Sequence, residues 1–203
     1  VRDINTAPVQ SGGTRGSGVR CLTPFGSWLY FFAVDAESGY GLWRSNGTES
    51  ATALVKALEP MVSDPDAFTR NGPTYLIAGR DRLYFAHRTE EAVLNPTYQL
   101  WASDGTPGGT QAVRPFAFIS GMAIHQGVLY FAAREGGSDS VDLWKSDGTT
   151  MGTRRVCIVN PTGDSSVSDL CVSGPILYFA ATDGVSGKEL CRVSGPDDEF
   201  FLY

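Results

Sequence analysis

The chain has 203 residues, 42% of them apolar, and a net charge of −6 with acidic and basic residues mixed along its length. That balance allows a real core and argues against a nucleic-acid or anionic-membrane surface, since both need clustered Lys and Arg. No apolar run approaches the roughly 20 residues that a membrane-spanning helix needs.

The chain opens on Val1-Arg2-Asp3-Ile4, which has the pattern of a last strand with no unit of its own before it. Residues 6–18 follow, rich in Gly, Ser and Thr. At ~3.3 Å per residue such a linker has an extended reach of roughly 40 Å. Residues 1–19 are therefore read as an N-terminal strand and linker.

A first unit, residues 20–58, carries Leu22, Gly26, Leu29-Tyr30-Phe31, Leu42-Trp43, Ser45-Asn46-Gly47-Thr48 and Val55. A link, 59–73, leads to the second unit, 74–116, with Leu76, Gly79, Leu83-Tyr84-Phe85, Leu100-Trp101, Ser103-Asp104-Gly105-Thr106 and Val113. The third unit, 117–159, has Met122, Gly127, Leu129-Tyr130-Phe131, Leu143-Trp144, Ser146-Asp147-Gly148-Thr149 and Val156. The fourth, 167–203, keeps Leu170, Gly174 and Leu177-Tyr178-Phe179, but Leu190-Cys191 replaces Leu-Trp and its turn has decayed to Val193-Ser194-Gly195-Pro196. The Leu-Tyr-Phe triplets recur after 54, 46 and 48 residues. Each unit thus predicts four strands, with a hairpin at the first Gly and a second turn at the Asp-Gly or Asn-Gly pair. No stretch has helical periodicity. The fold expected is all-β, a small β-propeller of four four-stranded blades. Alternation places Trp43, Trp101 and Trp144 between blades, and Trp28, outside the repeat, at the surface.

These segments resemble the ELWxSDGTxxGT repeats of large bacterial secreted and surface proteins. The fullest copy runs from Asp142 through Leu143-Trp144-Lys145-Ser146-Asp147-Gly148-Thr149 to Gly152-Thr153. The opening Val1-Arg2-Asp3-Ile4-Asn5 resembles the segment that closes a repeat in that family. Repeat one departs from the pattern at Asn46 and Ala51, and repeat four departs badly. The resemblance implies a propeller-like module at the cell surface or outside the cell. It implies no catalytic residues.

Four cysteines, Cys21, Cys157, Cys171 and Cys191, lie far apart, without CxxC or nearby His at zinc spacing. Their even number predicts two disulfides and an oxidising compartment. In a closed ring the fourth unit lies beside the third and the first. Of the three connectivities, Cys21–Cys171 and Cys157–Cys191 are then expected. Asn46-Gly47-Thr48 is the one N-x-[ST] sequon without Pro, which makes Asn46 the glycosylation candidate.

No catalytic, cofactor or metal site is expected. His87 and His125 belong to no nucleophile motif. Asp104 and Asp147 supply one carboxylate per loop, against the ~6–8 oxygens that calcium takes. The acidic clusters Glu90-Glu91 and Asp197-Asp198-Glu199 are expected to be solvated loops. The recurring residues are those of core and turns, while the loops vary. This favours a non-catalytic structural or assembly module over a carbohydrate-binding or adhesin module. The partners expected are accordingly other copies of the chain, head to tail, or glycans. The assembly strand would be Val1, Arg2, Asp3 and Ile4, donated to a neighbour's sheet edge. The alternatives are closure of the chain's own ring, with that strand added to unit four, and a fragment of a longer array.

Overall fold

The computed structural model describes residues 2–6, 8, 16–59, 75–89, 97–194 and 199–202. Among these, sixteen strands form four antiparallel sheets of four, each with its strands in chain order. Sheet one holds β1 (Arg20–Phe25), β2 (Trp28–Asp35), β3 (Gly39–Ser45) and β4 (Ala53–Glu59). Sheet two holds β5 (Tyr75–Ala78), β6 (Leu83–Thr89), β7 (Thr97–Ser103) and β8 (Gln111–Phe116). Sheet three holds β9 (Phe118–His125), β10 (Val128–Arg134), β11 (Asp142–Ser146) and β12 (Arg154–Cys157). Sheet four holds β13 (Ser168–Ser173), β14 (Ile176–Thr182), β15 (Lys188–Ser194) and β16 (Glu199–Leu202). The first strands of successive sheets lie side by side, β1 by β5, β5 by β9 and β9 by β13.

Strand alternation explains the stacking. In Leu-Tyr-Phe, Leu and Phe point to the preceding sheet and Tyr points to the following one. Between sheets one and two, Tyr30, Phe32, Tyr40 and Leu42 meet Leu83 and Phe85. The next junction joins Tyr84, Ala86, Leu100 and Ala102 to Leu129, Phe131, Ala133 and Trp144. The third joins Tyr130, Ala132 and Leu143 to Leu177, Phe179, Ala181, Cys191 and Val193. Each fully buried Leu or Phe contributes about 1.5–3 kcal/mol, so these junctions hold the stack together.

Two of the indoles, Trp101 and Trp144, sit between sheets as alternation predicts. Trp101 stacks on Phe85 at 5.7 Å between sheets one and two, and Trp144 meets Phe116 edge-on at 5.0 Å between two and three. Trp43 is buried too, yet on the outer face of sheet one and not between two sheets, where among the described residues no sheet faces it. Trp28 is half-buried rather than exposed, with the Arg44 guanidinium 4.5 Å from its ring centre.

One device escaped the sequence. The residue before Leu22, Met122 and Leu170 has positive φ: Cys21 at 54°, Gly121 at 54° and Asp169 at 56°. At each the first strand slips register against its neighbour. Such a bulge keeps the apolar residue that follows aimed at the preceding sheet.

The ring expected to bring sheet four against sheet one is not formed among the described residues. Part of each outer face of the stack remains open, with Leu22 61% exposed on one and Leu190 53% exposed on the other. All of the link after Glu59, the stretch 90–96 with Glu90 and Glu91, and the residues Val1, Asp197, Asp198 and Tyr203 lie outside the described residues.

Candidate functional site

The Ser-Asp-Gly-Thr cassette is a closed hydrogen-bond circuit. In sheet two, the Thr106 N–H and hydroxyl both donate to Asp104 Oδ1, at 2.8 and 2.7 Å. The Gly109 N–H donates to Thr106 Oγ1 at 3.0 Å, and Thr110 Oγ1 donates to the Thr106 carbonyl at 2.6 Å. Ser103 Oγ accepts from the Gly105 N–H at 3.0 Å and lies 2.7 Å from Thr110 Oγ1. The same circuit recurs from Ser146 to Thr153. It also explains the second Gly-Thr, since a Cβ on Gly109 would lie 2.0 Å from Asp104 Oδ1 and one on Gly152 2.1 Å from the Asp147 carboxyl. Repeat one, with Asn46 and Ala51, keeps the circuit in looser form: the Thr48 N–H lies 3.1 Å from Asn46 Oδ1.

Hydrogen bonds from the Thr106 side chain and backbone hold the Asp104 carboxyl below its ordinary range. At Asp147 burial acts to raise the value, but hydrogen bonds from Thr149 outweigh it and the net shift is downward. These carboxylates are thus employed in the turns. Among the described residues no group of three or more His, Cys, Asp or Glu is placed to hold a metal ion.

The cassette also meets the neighbouring sheet. Tyr30 Oη donates to the Gly105 carbonyl at 3.3 Å, and Arg44 Nη1 donates to it at 3.2 Å. One junction further on, Arg82 approaches Gly148 so closely that a Cβ there would meet its Nη1 at 2.4 Å. The Tyr and Arg of one sheet thus read the backbone of the next sheet's turn.

A cleft of about 640 Å³ lies over the outer face of sheet one. Leu22, Pro24, Trp28, Leu29, Asn46 and Gly47 line it, together with Arg2 and Ile4 from the N-terminal segment. Ile4 packs against Phe31, Ala33 and Trp43. Arg2 lies over the Trp43 ring at 5.8 Å and donates from Nη1 to the Thr52 carbonyl at 3.1 Å. Arg2, Asp3 and Ile4 are thus placed on sheet one of their own chain, not on sheet four. They form no described strand there.

No disulfide joins the four cysteines, so neither expected pairing is made. The register shows why Cys21 and Cys171 are not equivalent. Cys21 holds the bulge position that Asp169 holds in sheet four, and Cys171 pairs across from Tyr178 on an open face. Cys157 and Cys191 do pack into one cluster, between sheets three and four. There Cys191 is buried, burial raises its thiol pKa, and its Sγ lies 3.8 Å from the Glu189 carbonyl oxygen. Burial likewise raises the Cys21 thiol.

His87 and His125 are 1% and 3% exposed. His87 stacks on Tyr40 at 6.4 Å, and His125 meets Tyr130 edge-on at 5.8 Å. Of the fourth unit's acidic cluster only Glu199 falls on a described strand, β16.

A polar cluster the sequence did not reveal sits at Asp142, which is 2% exposed. Its carboxylate accepts from Ser140 Oγ at 2.9 Å, Ser165 Oγ at 2.7 Å and Arg155 Nη1 at 3.1 Å. Asn160 joins through its N–H, 3.1 Å from Ser165 Oγ, and through Nδ2, 3.2 Å from the Asp164 carbonyl. The cluster ties the segment between sheets three and four to β11. Ser140 is two residues from Asp142, but Arg155 and Ser165 come from 13 and 23 residues away, which no local motif displays.

Asn46 is exposed at the rim of the cleft. If it carries an N-glycan, intact mass should fall after glycosidase treatment of protein from a glycosylating host. An unchanged mass counts against a removable glycan.

No family model matches the chain. No curated protein matches it either. Among solved structures, one from a study of two prolyl endopeptidases aligns with a TM-score of 0.57 at 15% identity, over 91% of this chain and 26% of that one. An exo-β-1,3-galactanase from Clostridium thermocellum aligns at 0.46 and 11%, over 100% of this chain and 51% of that one. A gluconolactonase from Xanthomonas campestris aligns at 0.46 and 16%, over 86% and 58%. This chain therefore spans about a quarter of the first structure's length and between half and three-fifths of the other two. The first likeness, at so low an identity, speaks to fold alone: four antiparallel sheets of the kind found in propeller-type proteins.

Proposed function

We propose that this chain is a non-catalytic structural and assembly module that works outside the cell or at its surface, as a subunit of a filament joined through its N-terminal strand. Its four sheets act as propeller blades of the ELWxSDGTxxGT kind. The observation that carries the reading is the seat of the N-terminal segment. Arg2 and Ile4 cover one part of the outer face of sheet one, over Phe31, Ala33 and Trp43, a part that faces a neighbouring sheet at the internal junctions, and they leave the side of Leu22 uncovered. A segment that covers a junction face in its own chain is suited to cover the same face in another, and a contact between unlike surfaces propagates unless it closes. The residues that recur are spent on packing and on turn hydrogen bonds, which supports a scaffold.

Deleting residues 1–8 tests the strand. The expected result is loss of filaments, seen by electron microscopy, with a monomer that still melts cooperatively. Unchanged polymerisation would sink strand donation. One feature favours a second reading, a carbohydrate-binding or adhesin module: Trp28 and Asn46 line an open cleft with an aromatic face and polar rim. Glycan-array binding that is lost in Trp28→Ala would support it.

A further inference from the structure

The repeat assigns every junction residue a direction, so the positions left without a neighbour can be read off directly. Leu42, Leu100 and Leu143 point to the following sheet, and each is 0% exposed. Leu190 holds the same place in sheet four and is 53% exposed. At the other end, Leu76, Met122 and Leu170 point to the preceding sheet and pack against its cluster. Leu22 holds their place in sheet one and is 61% exposed.

The polar half of the junction divides in the same way. Tyr30 of sheet one reaches Gly105 in the turn of sheet two, and Gly105 is buried there. Gly47 is the Gly105 of repeat one. It is exposed, and a Cβ built on it would meet nothing within 4 Å. Tyr178 is the Tyr30 of repeat four. Tyr30, Tyr84 and Tyr130 are all nearly fully buried, whereas Tyr178 is only half-buried on the open face that also carries Leu190. Each end of the stack thus presents one half of an apolar junction that the molecule builds three times internally, together with one half of the tyrosine-to-turn contact seen between sheets one and two.

We infer that the outer face of sheet four docks on the outer face of sheet one of a second copy of this chain, with Leu190 entering the apolar face beside Leu22 and the Tyr178 hydroxyl donating to the Gly47 carbonyl. The inference deepens the assembly reading by naming the partner surface, and it continues a series of established junctions. The N-terminal segment covers Trp43 and forms one wall of the cleft. The partner enters on the side of β1 and the β3–β4 turn, which stays open. Asn46 does not obstruct it, because Asp104 and Asp147, the matching residues at the internal junctions, keep exposed side chains.

The interface is heterologous, so two single variants should fail alone and succeed together. Leu22→Asp spoils only the sheet-one face and Leu190→Asp only the sheet-four face. Both positions are exposed, so the monomers should fold, which circular dichroism and thermal melting establish. The probe is the full chain in analytical ultracentrifugation over a concentration series. The wild type should associate, and each variant alone should associate at least roughly 100-fold more weakly, as expected for placing a charge where a buried Leu belongs. An equimolar mixture should form one-to-one dimers and nothing longer, because a single intact pair of faces remains.

A wild type that stays monomeric at all concentrations overturns the proposal, whether the faces stay open or meet within one chain. So does a mixture that remains monomeric, or variants that associate like the wild type. Deletion of residues 1–8 separates this proposal from strand donation. Association that survives the deletion but not Leu190→Asp leaves face docking standing and removes the donated strand. Association lost on deletion but kept in both Asp variants does the reverse.

Discussion

Replacing Gly105 with Ala is expected to destabilise the chain by about 3 kcal/mol, whereas the same change at Gly47 should cost only about 1–2 kcal/mol. Both glycines have positive φ, +89° and +96°. Each therefore incurs the strain of an L-residue in a left-handed conformation, roughly 1–2 kcal/mol. Only Gly105 adds a collision, because its new Cβ would lie 2.1 Å from Tyr30 Oη. Relieving it pushes Tyr30 out of the junction and breaks its hydrogen bond to the Gly105 carbonyl. Overpacking of that kind adds roughly 1–3 kcal/mol. Equilibrium denaturation of the two variants measures the difference. Equal losses would mean that the tyrosine contributes nothing to the junction between sheets one and two.

Acid should weaken the fold well above the range in which carboxylates titrate. His87 is buried on β6 against Tyr40, and burial lowers its pKa from 6.5 to about 4. Below about pH 6.5 the unfolded chain takes up a proton that folded His87 refuses until pH about 4. Stability is therefore complete above that window and falls as pH drops through it, by about 3 kcal/mol at its lower end. Asp104 and Asp147 have the opposite chemistry but the same sign. Their lowered values mean that stability is present while they are ionised and is lost as pH falls below the ordinary carboxylate value, 3.8. The two windows separate on a denaturation series from pH 7 to pH 3. His87→Phe should flatten the upper part of the profile and leave the lower part unchanged. If the variant keeps the wild-type slope between pH 6.5 and 4, His87 does not carry it.

What the sequence determined by itself was the local content of each unit. Leu-Tyr-Phe, Leu-Trp and the Ser-Asp-Gly-Thr turn are short-range patterns. Strand alternation and backbone hydrogen bonding act within a few residues, so the patterns carry their structure with them. They displayed four antiparallel sheets and the inter-sheet place of Trp101 and Trp144. The tertiary structure decided what depends on neighbours far away in the chain. The bulge at Cys21, Gly121 and Asp169 has no shared residue type, because positive φ is imposed there by the register the packing demands. Cys21 and Asp169 share that position, so Cys171 lies two places further along its strand than Cys21 does, an offset already present in the alignment of Leu22 with Leu170. Asp142 looked like one more polar residue before Leu143, until Ser140, Ser165 and Arg155 converged on it. Which Leu of a repeated set stays in water was equally invisible. Leu22 and Leu190 have the same chemistry as their buried counterparts and differ in standing at the two ends of the stack, where no further sheet among the described residues covers them.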